Sequence, residues 1–452
     1  MARLIEIDWP RFGPDPIRPA VTVADLQPRL AALRAQMLDR GHSHIVLYAD
    51  REHFANLAWL TNFDPRFEEA LLVISQDGTP LLLTGNECMS YLPISPLWTS
   101  GELRAECFQP FSLLDQPRDS SRALAEIFRA EGIDGNSSVG CIGWKYYGDP
   151  LSIDLPSYIV DTLRRLGGSA NVIDATDIAV NLRATCSAAE IAFFEYTNYK
   201  ASEAMRRTHF ALREGVTDHE LIAHAGYDGL PLSCHMTCKT GPNRISLASA
   251  SGETIRRGYP WSANIAYWGA NICRAGWVAE SERDLPAAAR DYVEAFAGPY
   301  FDAMAAWLDA LRIGIHGGQL HSLIQQRLPF DKYGILLNAG HLIHFDEWLR
   351  SPIYAGSVEP IRSGMVFQTD VIPSNPVYFS TRMEDGLAIA NASLRSEIAT
   401  KFPAAWQRIQ ARREFAIGTL GFTLPDEHLP LSNLFGLVAP FVLNPRRVFA
   451  IP

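Results

Sequence analysis

The sequence lacks any uninterrupted apolar stretch near the ~18–20 residues that a membrane-spanning helix requires. Its longest candidates, Ala70–Ser75 and Leu81–Thr84, are short and strand-like, so no membrane association is expected. Met1–Phe12 carries charges and a proline where a secretion signal would need an apolar run, and no such signal is expected. Basic charge is also in deficit. Forty Lys and Arg face 50 Asp and Glu, for a net charge of −10, and no local basic stripe offsets the difference. That balance repels a phosphate backbone and excludes nucleic acid as an expected partner. Cysteines are few, scattered and odd in number: Cys88, Cys107, Cys141, Cys186, Cys234, Cys238 and Cys273. They do not read as a disulfide framework, and a reducing, cytoplasmic setting is expected.

What is present is material for burial. Hydrophobic residues make up 47% of 452 and charged residues 20%, which excludes disorder, collagen-like repeats and coiled-coil rods. The length exceeds one ordinary core of ~100–200 residues, so two domains, or one large one, are expected. Leu26, Leu30, Leu33 and Met37 recur at helical spacing across Val23–Gly41. Ile45–Tyr48 and Ala70–Ile74 read as strands, with a turn at Gln76-Asp77-Gly78-Thr79. Ser120–Arg129 reads as a helix and Ser138–Ile142 as a buried strand, giving an α/β layer. From Arg183 the character changes. Ser187–Leu212 is one long helical pattern opened by the capping box Ser187-Ala-Ala-Glu190, and Thr217-Asp-His-Glu220 opens another. Pro286–Leu311 reads as helical, and the tail from about Ile335 as β-rich. The expected domains are residues 1–182 and 183–452.

Several segments resemble the pita-bread superfamily, which includes Xaa-Pro aminopeptidase, prolidase, methionine aminopeptidase and creatinase. Asn56-Leu-Ala-Trp-Leu-Thr-Asn-Phe63 and Glu69-Ala-Leu-Leu-Val-Ile-Ser-Gln-Asp-Gly-Thr-Pro80 resemble the creatinase-type N-terminal domain. Glu214-Gly-Val-Thr-Asp-His-Glu-Leu221 and Lys239-Thr-Gly-Pro-Asn243 resemble a helix-entry turn and a strand-ending motif of the second domain. Asn338-Ala-Gly-His341, Arg362-Ser-Gly-Met-Val-Phe-Gln-Thr-Asp370 and Thr381-Arg-Met-Glu384-Asp385 follow in the family's order. The resemblance implies a creatinase-like α/β N-terminal domain followed by an α+β pita-bread domain. It also implies a homodimer.

Peptidases of this family hold two divalent metals with two Asp, one His and two Glu, because each cation needs anionic oxygen donors. By resemblance, His341, Asp370 and Glu384 occupy the His and Glu positions. Asn264 and Asn271 fall at the two Asp positions, seven residues apart. Two neutral amides remove the charge that a dinuclear cage depends on. No cofactor is therefore expected, with a weak or single divalent metal left open. Creatinase resembles this chain in having Asn at the first Asp position; it binds no metal and uses a histidine as acid–base group. Its counterpart after Asn243 is absent here, which leaves His341, His344 and His235 as candidate catalytic histidines. Asp370, Glu384, Asn264, Asn271, Arg274 and Trp268 are candidate substrate-binding residues, Arg274 as a counter-charge to Asp370 and Glu384. Asp346-Glu347-Trp348 either adds a carboxylate to the pocket or forms a turn. Cys234 and Cys238 have no second ligand cluster to complete a zinc site.

Three functions are expected to compete. The first is a hydrolase cleaving a C–N bond of a small polar substrate or short peptide without a dinuclear metal. The second is an Xaa-Pro aminopeptidase or dipeptidase with a rearranged or single-metal site. The third is a ligand-binding member without catalysis.

Overall fold

The computed structural model describes residues 2–242 and 247–452. Asn243, in the strand-ending motif, and the Arg244-Ile245-Ser246 run after it lie outside the described residues. The strands in chain order are β1 (Arg3–Glu6), β2 (His44–Ala49), β3 (Ala70–Ser75), β4 (Leu81–Thr84) and β5 (Arg104–Cys107). They continue with β6 (Val139–Ile142), β7 (Val172–Asp174), β8 (Thr237–Thr240), β9 (Pro260–Tyr267) and β10 (Ala270–Trp277). The last are β11 (His341–Leu342), β12 (Val366–Gln368), β13 (Gly386–Ile389), β14 (His428–Pro430) and β15 (Arg447–Ala450).

The chain forms two compact units, Ala20–Arg183 and Met1–Pro19 with Ala184–Pro452. The expected first domain thus loses its leading residues to the second unit. There β1 pairs antiparallel with β15, and Trp9 packs on His209 and Phe210 with ring centroids 5.1 Å apart in each case. A four-residue strand without a neighbour leaves its backbone groups unpaired, and β15 supplies the neighbour.

In the Ala20–Arg183 unit six strands lie in the order β5-β4-β3-β2-β6-β7. The centre is antiparallel, whereas β4–β5, β2–β6 and β6–β7 are parallel. Val46, Leu71, Val73 and Val139 bury one face of the sheet with Ile127 and Phe128 of the helix Leu124–Ala130. The expected first helix runs Val23–Asp39 with Leu26, Leu33 and Met37 buried, and Gly41 follows it at φ +72°. Asn56 donates to the Gly143 carbonyl at 2.8 Å and accepts from Arg183 at 2.7 Å.

In the other unit, β8, β9 and β10 form an antiparallel sheet, and β11 to β14 form a second one in sequence order. The helix Ala188–Ala211 packs on β9 and β10, its start fixed by the expected capping box: Ser187 Oγ accepts from Glu190 N–H at 3.3 Å, and Glu190 Oε2 accepts from Ser187 N–H at 2.8 Å. At the β9–β10 turn, Gly269 has φ +73°, and a Cβ there would lie 2.0 Å from the Phe194 ring of this helix. In the first half of the helix, fully buried Glu195 takes Arg408 at 2.6 Å and Arg412 at 2.7 Å, tying it to the helix Pro403–Gly418. That helix and its neighbour Ala392–Lys401 occupy part of the tail expected to be β-rich. Their Ala, Arg, Gln and Glu content favours helix, and Pro403 sits in the first turn, where its missing N–H costs nothing. The expected Pro286–Leu311 helix is interrupted, and its regular α-helical part is Gly298–Ala310. No helix among the described residues is long and apolar enough to cross a membrane.

His209 is fully buried between Trp9 and Trp261, and neither ring nitrogen has a hydrogen-bond partner among the described residues. Burial, assisted by the charge of Arg274, pushes its pKa from 6.5 down to about 3. The neutral ring stabilises the fold fully above the unfolded value, and this contribution is lost as pH falls from 6.5 toward 3. His428, pushed down to about 4, acts in the same direction. Thermal unfolding from about pH 7 to about pH 4 is expected to show a smaller loss of Tm in His209→Phe than in the wild type. Parallel curves would contradict this.

Candidate active site

The site is a row of side chains crossing from one sheet to the other. Thr237 on β8 pairs with Asn264 on β9, and Asn264 pairs with Cys273 on β10. Cys273 in turn makes an antiparallel bridge to Glu384, just before β13. Directly opposed residues on neighbouring strands share a face, and residues two apart along a strand share it too. Asn271 therefore joins Cys273 on that face, while Arg274 is turned to the other.

Hydrogen bonds run along the row. Thr237 Oγ1 donates to Asn264 Oδ1. Asn264 Nδ2 donates to the His235 carbonyl at 3.1 Å and to Asn271 Oδ1 at 3.4 Å. Asn271 Nδ2 donates to Glu384 Oε1 at 2.7 Å. Gln368, its amide oriented by its surroundings, donates to the carbonyls of Asn271 (3.0 Å) and Asp385 (3.1 Å) and locks β10 against β12.

His341 on β11 stands opposite Gln368 and is fully buried. Its Nε2 lies 3.2 Å from Glu347 Oε1 and 3.6 Å from Asp370 Oδ2, and its ring stacks on Trp348 at 4.1 Å. Burial opposes the imidazolium, but Glu347 and Asp370 outweigh it and hold the His341 pKa well above 6.5. The two glutamates diverge. Glu384 is pushed well above the carboxylate range by burial and by the charges of Asp370 and Glu347. Glu347 resists its own burial through His341 and is held below that range. Its side chain is 22% exposed, whereas Glu384 is only 4% exposed.

The structure thus brings together His341, Asp370, Glu384, Asn264 and Asn271, with Glu347 as a further carboxylate. The remaining sequence candidates lie elsewhere. His344 is buried edge-on to Phe194, with Nε2 at 3.3 Å from Glu190 Oε1, so it supports the capped helix start. The His235 side chain is exposed, and only its carbonyl reaches the amide network. Trp268 stacks on Phe345 at 4.8 Å. Arg274, on the opposite face of β10, pairs with Asp385 at 2.8 Å and donates to the carbonyls of Leu434, Leu437 and Glu384, and so is not the counter-charge to Asp370 and Glu384. Arg382 is nearer that position. It is buried, with Nη1 at 3.2 Å from Cys273 Sγ, and Asp370 is among the groups that favour its charge.

Donor atoms of His341, Asp370 and Glu384 lie within 4.8 Å of one another, a set that suits one ion at most. The residues do not fit a dinuclear centre. Where such a centre needs further anionic oxygens, Asn271 turns an N–H toward Glu384, and Asn264 turns one toward Asn271.

No protein-family model matches the sequence, and no curated protein matches it. Solved structures do match in fold. The prolidase from Pyrococcus horikoshii superposes with a TM-score of 0.63 at 16% identity, covering 80% of this chain and 95% of that one. The X-Pro aminopeptidase from Thermotoga maritima gives 0.62 at 17% identity, with 80% and 95% covered. The N-terminal domain of the FACT complex subunit SPT16 from chickpea gives 0.59 at 15% identity, with 82% and 95% covered. The chain therefore has the pita-bread fold, in the two-domain form of prolidases and X-Pro aminopeptidases.

Asn271→Asp replaces the donor to Glu384 with a second carboxylate. It is expected to destabilise the metal-free protein by about 1–3 kcal/mol, the cost of an unmade buried hydrogen bond. Adding Mn²⁺ or Zn²⁺ should raise the Tm of Asn264→Asp/Asn271→Asp and leave that of the wild type nearly unchanged. Equal stabilisation of both in a thermal-shift titration would contradict the assignment.

Proposed function

We propose that this chain is a hydrolase that cleaves a C–N bond of a small polar molecule or short peptide by acid–base chemistry, without a dinuclear metal. The observation that carries this reading is a pair of carboxylates in unlike settings: Glu384, 4% exposed, accepts from the Asn271 amide at 2.7 Å, and Glu347, 22% exposed, lies 3.2 Å from His341 Nε2. Two carboxylates whose surroundings push their proton affinities apart are suited to opposite tasks. Glu384, holding its proton, is the donor to a leaving nitrogen. Glu347, held below the usual carboxylate range and partly exposed, is the acceptor. The His341 imidazolium fixes the charge on Glu347, and Asp370 Oδ1, buried with no hydrogen-bond partner among the described residues, is free to accept a substrate N–H. The likeness to peptidases in fold supports a hydrolase, and the −10 charge gives no reason to seek a nucleic-acid substrate.

Two other readings remain distinct. A single-metal peptidase would rest on His341, Asp370 and Glu384. A binding module would share the fold without its chemistry, and the FACT subunit domain shows that the fold is not confined to chains named as peptidases.

The test combines elemental analysis with hydrolysis assays over guanidino compounds, carboxamides and Xaa-Pro dipeptides. The purified protein is expected to carry well under one equivalent of transition metal and to release amine or ammonia from one class. Glu384→Gln and His341→Ala should each reduce that rate by about 10²-fold or more. Two tightly held metals, or strict chelator sensitivity, would overturn the proposal in favour of a metallopeptidase.

A further inference from the structure

Where the helices Ala188–Ala211 and Pro403–Gly418 meet, the buried charges do not cancel. Glu195 accepts from Arg408 through Nε at 2.8 Å and Nη2 at 2.6 Å, and from Arg412 Nη2 at 2.7 Å. Two guanidiniums thus share one carboxylate. Glu203, joined to Arg412 through the Asn433 amide, is already paired with Arg206 at 3.2 Å. Arg412 spends its other donors on Asn433 and the Pro430 carbonyl. Arg408 does not. It is 5% exposed, and its Nη1 has no hydrogen-bond partner among the described residues. A surplus cation held out of water calls for an anion.

Arg408 lines a cavity of about 330 Å³ within the unit formed by Met1–Pro19 and Ala184–Pro452. That volume is at the lower end of the ~300–1,000 Å³ range of small-molecule sites. Its walls are largely apolar, with Pro14, Pro16 and Ile17 from the leading segment and Phe402 and Pro403 at the start of the second helix. The prolines fix φ, so this wall is set before any ligand arrives. The exposed carboxylate of Asp15 also borders the cavity, and it accepts from the Tyr199 hydroxyl. The helix start adds donors. Ala404 and Ala405 line the cavity, and their N–H groups have no partner among the described residues, since the first bond of that turn runs from Trp406 N–H to the Phe402 carbonyl at 3.0 Å. Such groups form the positive end of the helix dipole. One space is therefore bordered by an unused guanidinium edge, two backbone donors and apolar walls.

We propose that this cavity is a second binding site, sharing no residue with the row around Glu384, and that it takes a small carboxylic acid with an apolar body. The carboxylate accepts from Arg408 Nη1 and from the Ala404 and Ala405 N–H groups, and it offsets the surplus charge beside Glu195. The hydrocarbon part packs on Pro14, Pro16, Ile17 and Phe402. Charge-assisted bonds of this kind are roughly twice as strong as neutral ones, so the acid is favoured over its amide. A phosphate head carries about −1.5 to −2 charges, more than the single surplus, and meets the like charge of Asp15. An ammonium head is repelled by Arg408 and by the helix start. The site involves no reaction and is independent of the hydrolase reading.

The test is calorimetric titration of the intact protein with octanoate, octanamide and octylammonium, with thermal unfolding alongside. Octanoate is expected to bind and to raise the Tm. Octanamide, the same chain without the charge, should bind about tenfold more weakly or worse, and octylammonium not at all. Ala404→Trp fills the cavity from an exposed position and leaves the ion cluster intact, and should weaken octanoate binding about tenfold or more. Arg408→Lys keeps a charge for Glu195 but loses the fork, and should weaken octanoate more than octanamide. Both variants are first shown to be folded by circular dichroism. No octanoate binding at about 1 mM, equal affinity for octanoate and octanamide, or undiminished octanoate binding in the folded variants would each overturn the proposal.

Discussion

The hydrogen bond from the Asn271 amide to Glu384 decides what the rest of the site can hold. A carboxylate that is 4% exposed needs a cation, a set of donors or a proton. At 2.7 Å the amide supplies one donor but no charge. Asp370 and Glu347 both repel a charge on Glu384; of the nearby cations, His341 is committed to Glu347 and Asp370, and Arg382 points its Nη1 at Cys273 Sγ, 3.2 Å away. Keeping the proton on Glu384 is the remaining way to bury it. The acid in the proposed chemistry is thus a consequence of the two amides at 264 and 271.

The same economy of charge explains the arginines. Strand alternation turns Arg274 away from the Asn271 and Cys273 face, where it pairs with Asp385 and binds the 434–437 segment to the sheet. Arg382 alternates with Met383 ahead of Glu384 and reaches the row from the other sheet, where it meets Cys273. One arginine holds the two sheets together and the other faces the candidate site. Residue type alone does not distinguish them, whereas their strand parity does.

Much of this was legible in the sequence. The capping boxes at Ser187 and Thr217 carry their own geometry, since each side chain satisfies a backbone group three residues away, and both are present. The ordered motifs placed His341, Asp370, Glu384, Asn264 and Asn271 in one cluster, because they reside on strands whose pairing the fold dictates. Histidines were the least legible. His344 and His235 lie near the motifs in sequence, but burial against Phe194 and exposure to solvent are tertiary outcomes that local spacing does not encode. Arg274 lies on the other face of β10 for a reason the sequence contains, its odd offset from Asn271. The pairing of β1 with β15 joins the two ends of the chain, and no local signal announces such a partner.

The central claim is that Glu384 carries a proton near neutral pH. Infrared difference spectroscopy between wild type and Glu384→Gln, recorded in H₂O and D₂O, reads this most directly. The account predicts a carbonyl stretch of one buried neutral carboxylic acid, shifted by deuterium and absent from the variant. A wild-type spectrum in which the Glu384 signal is that of an ionised carboxylate would contradict it.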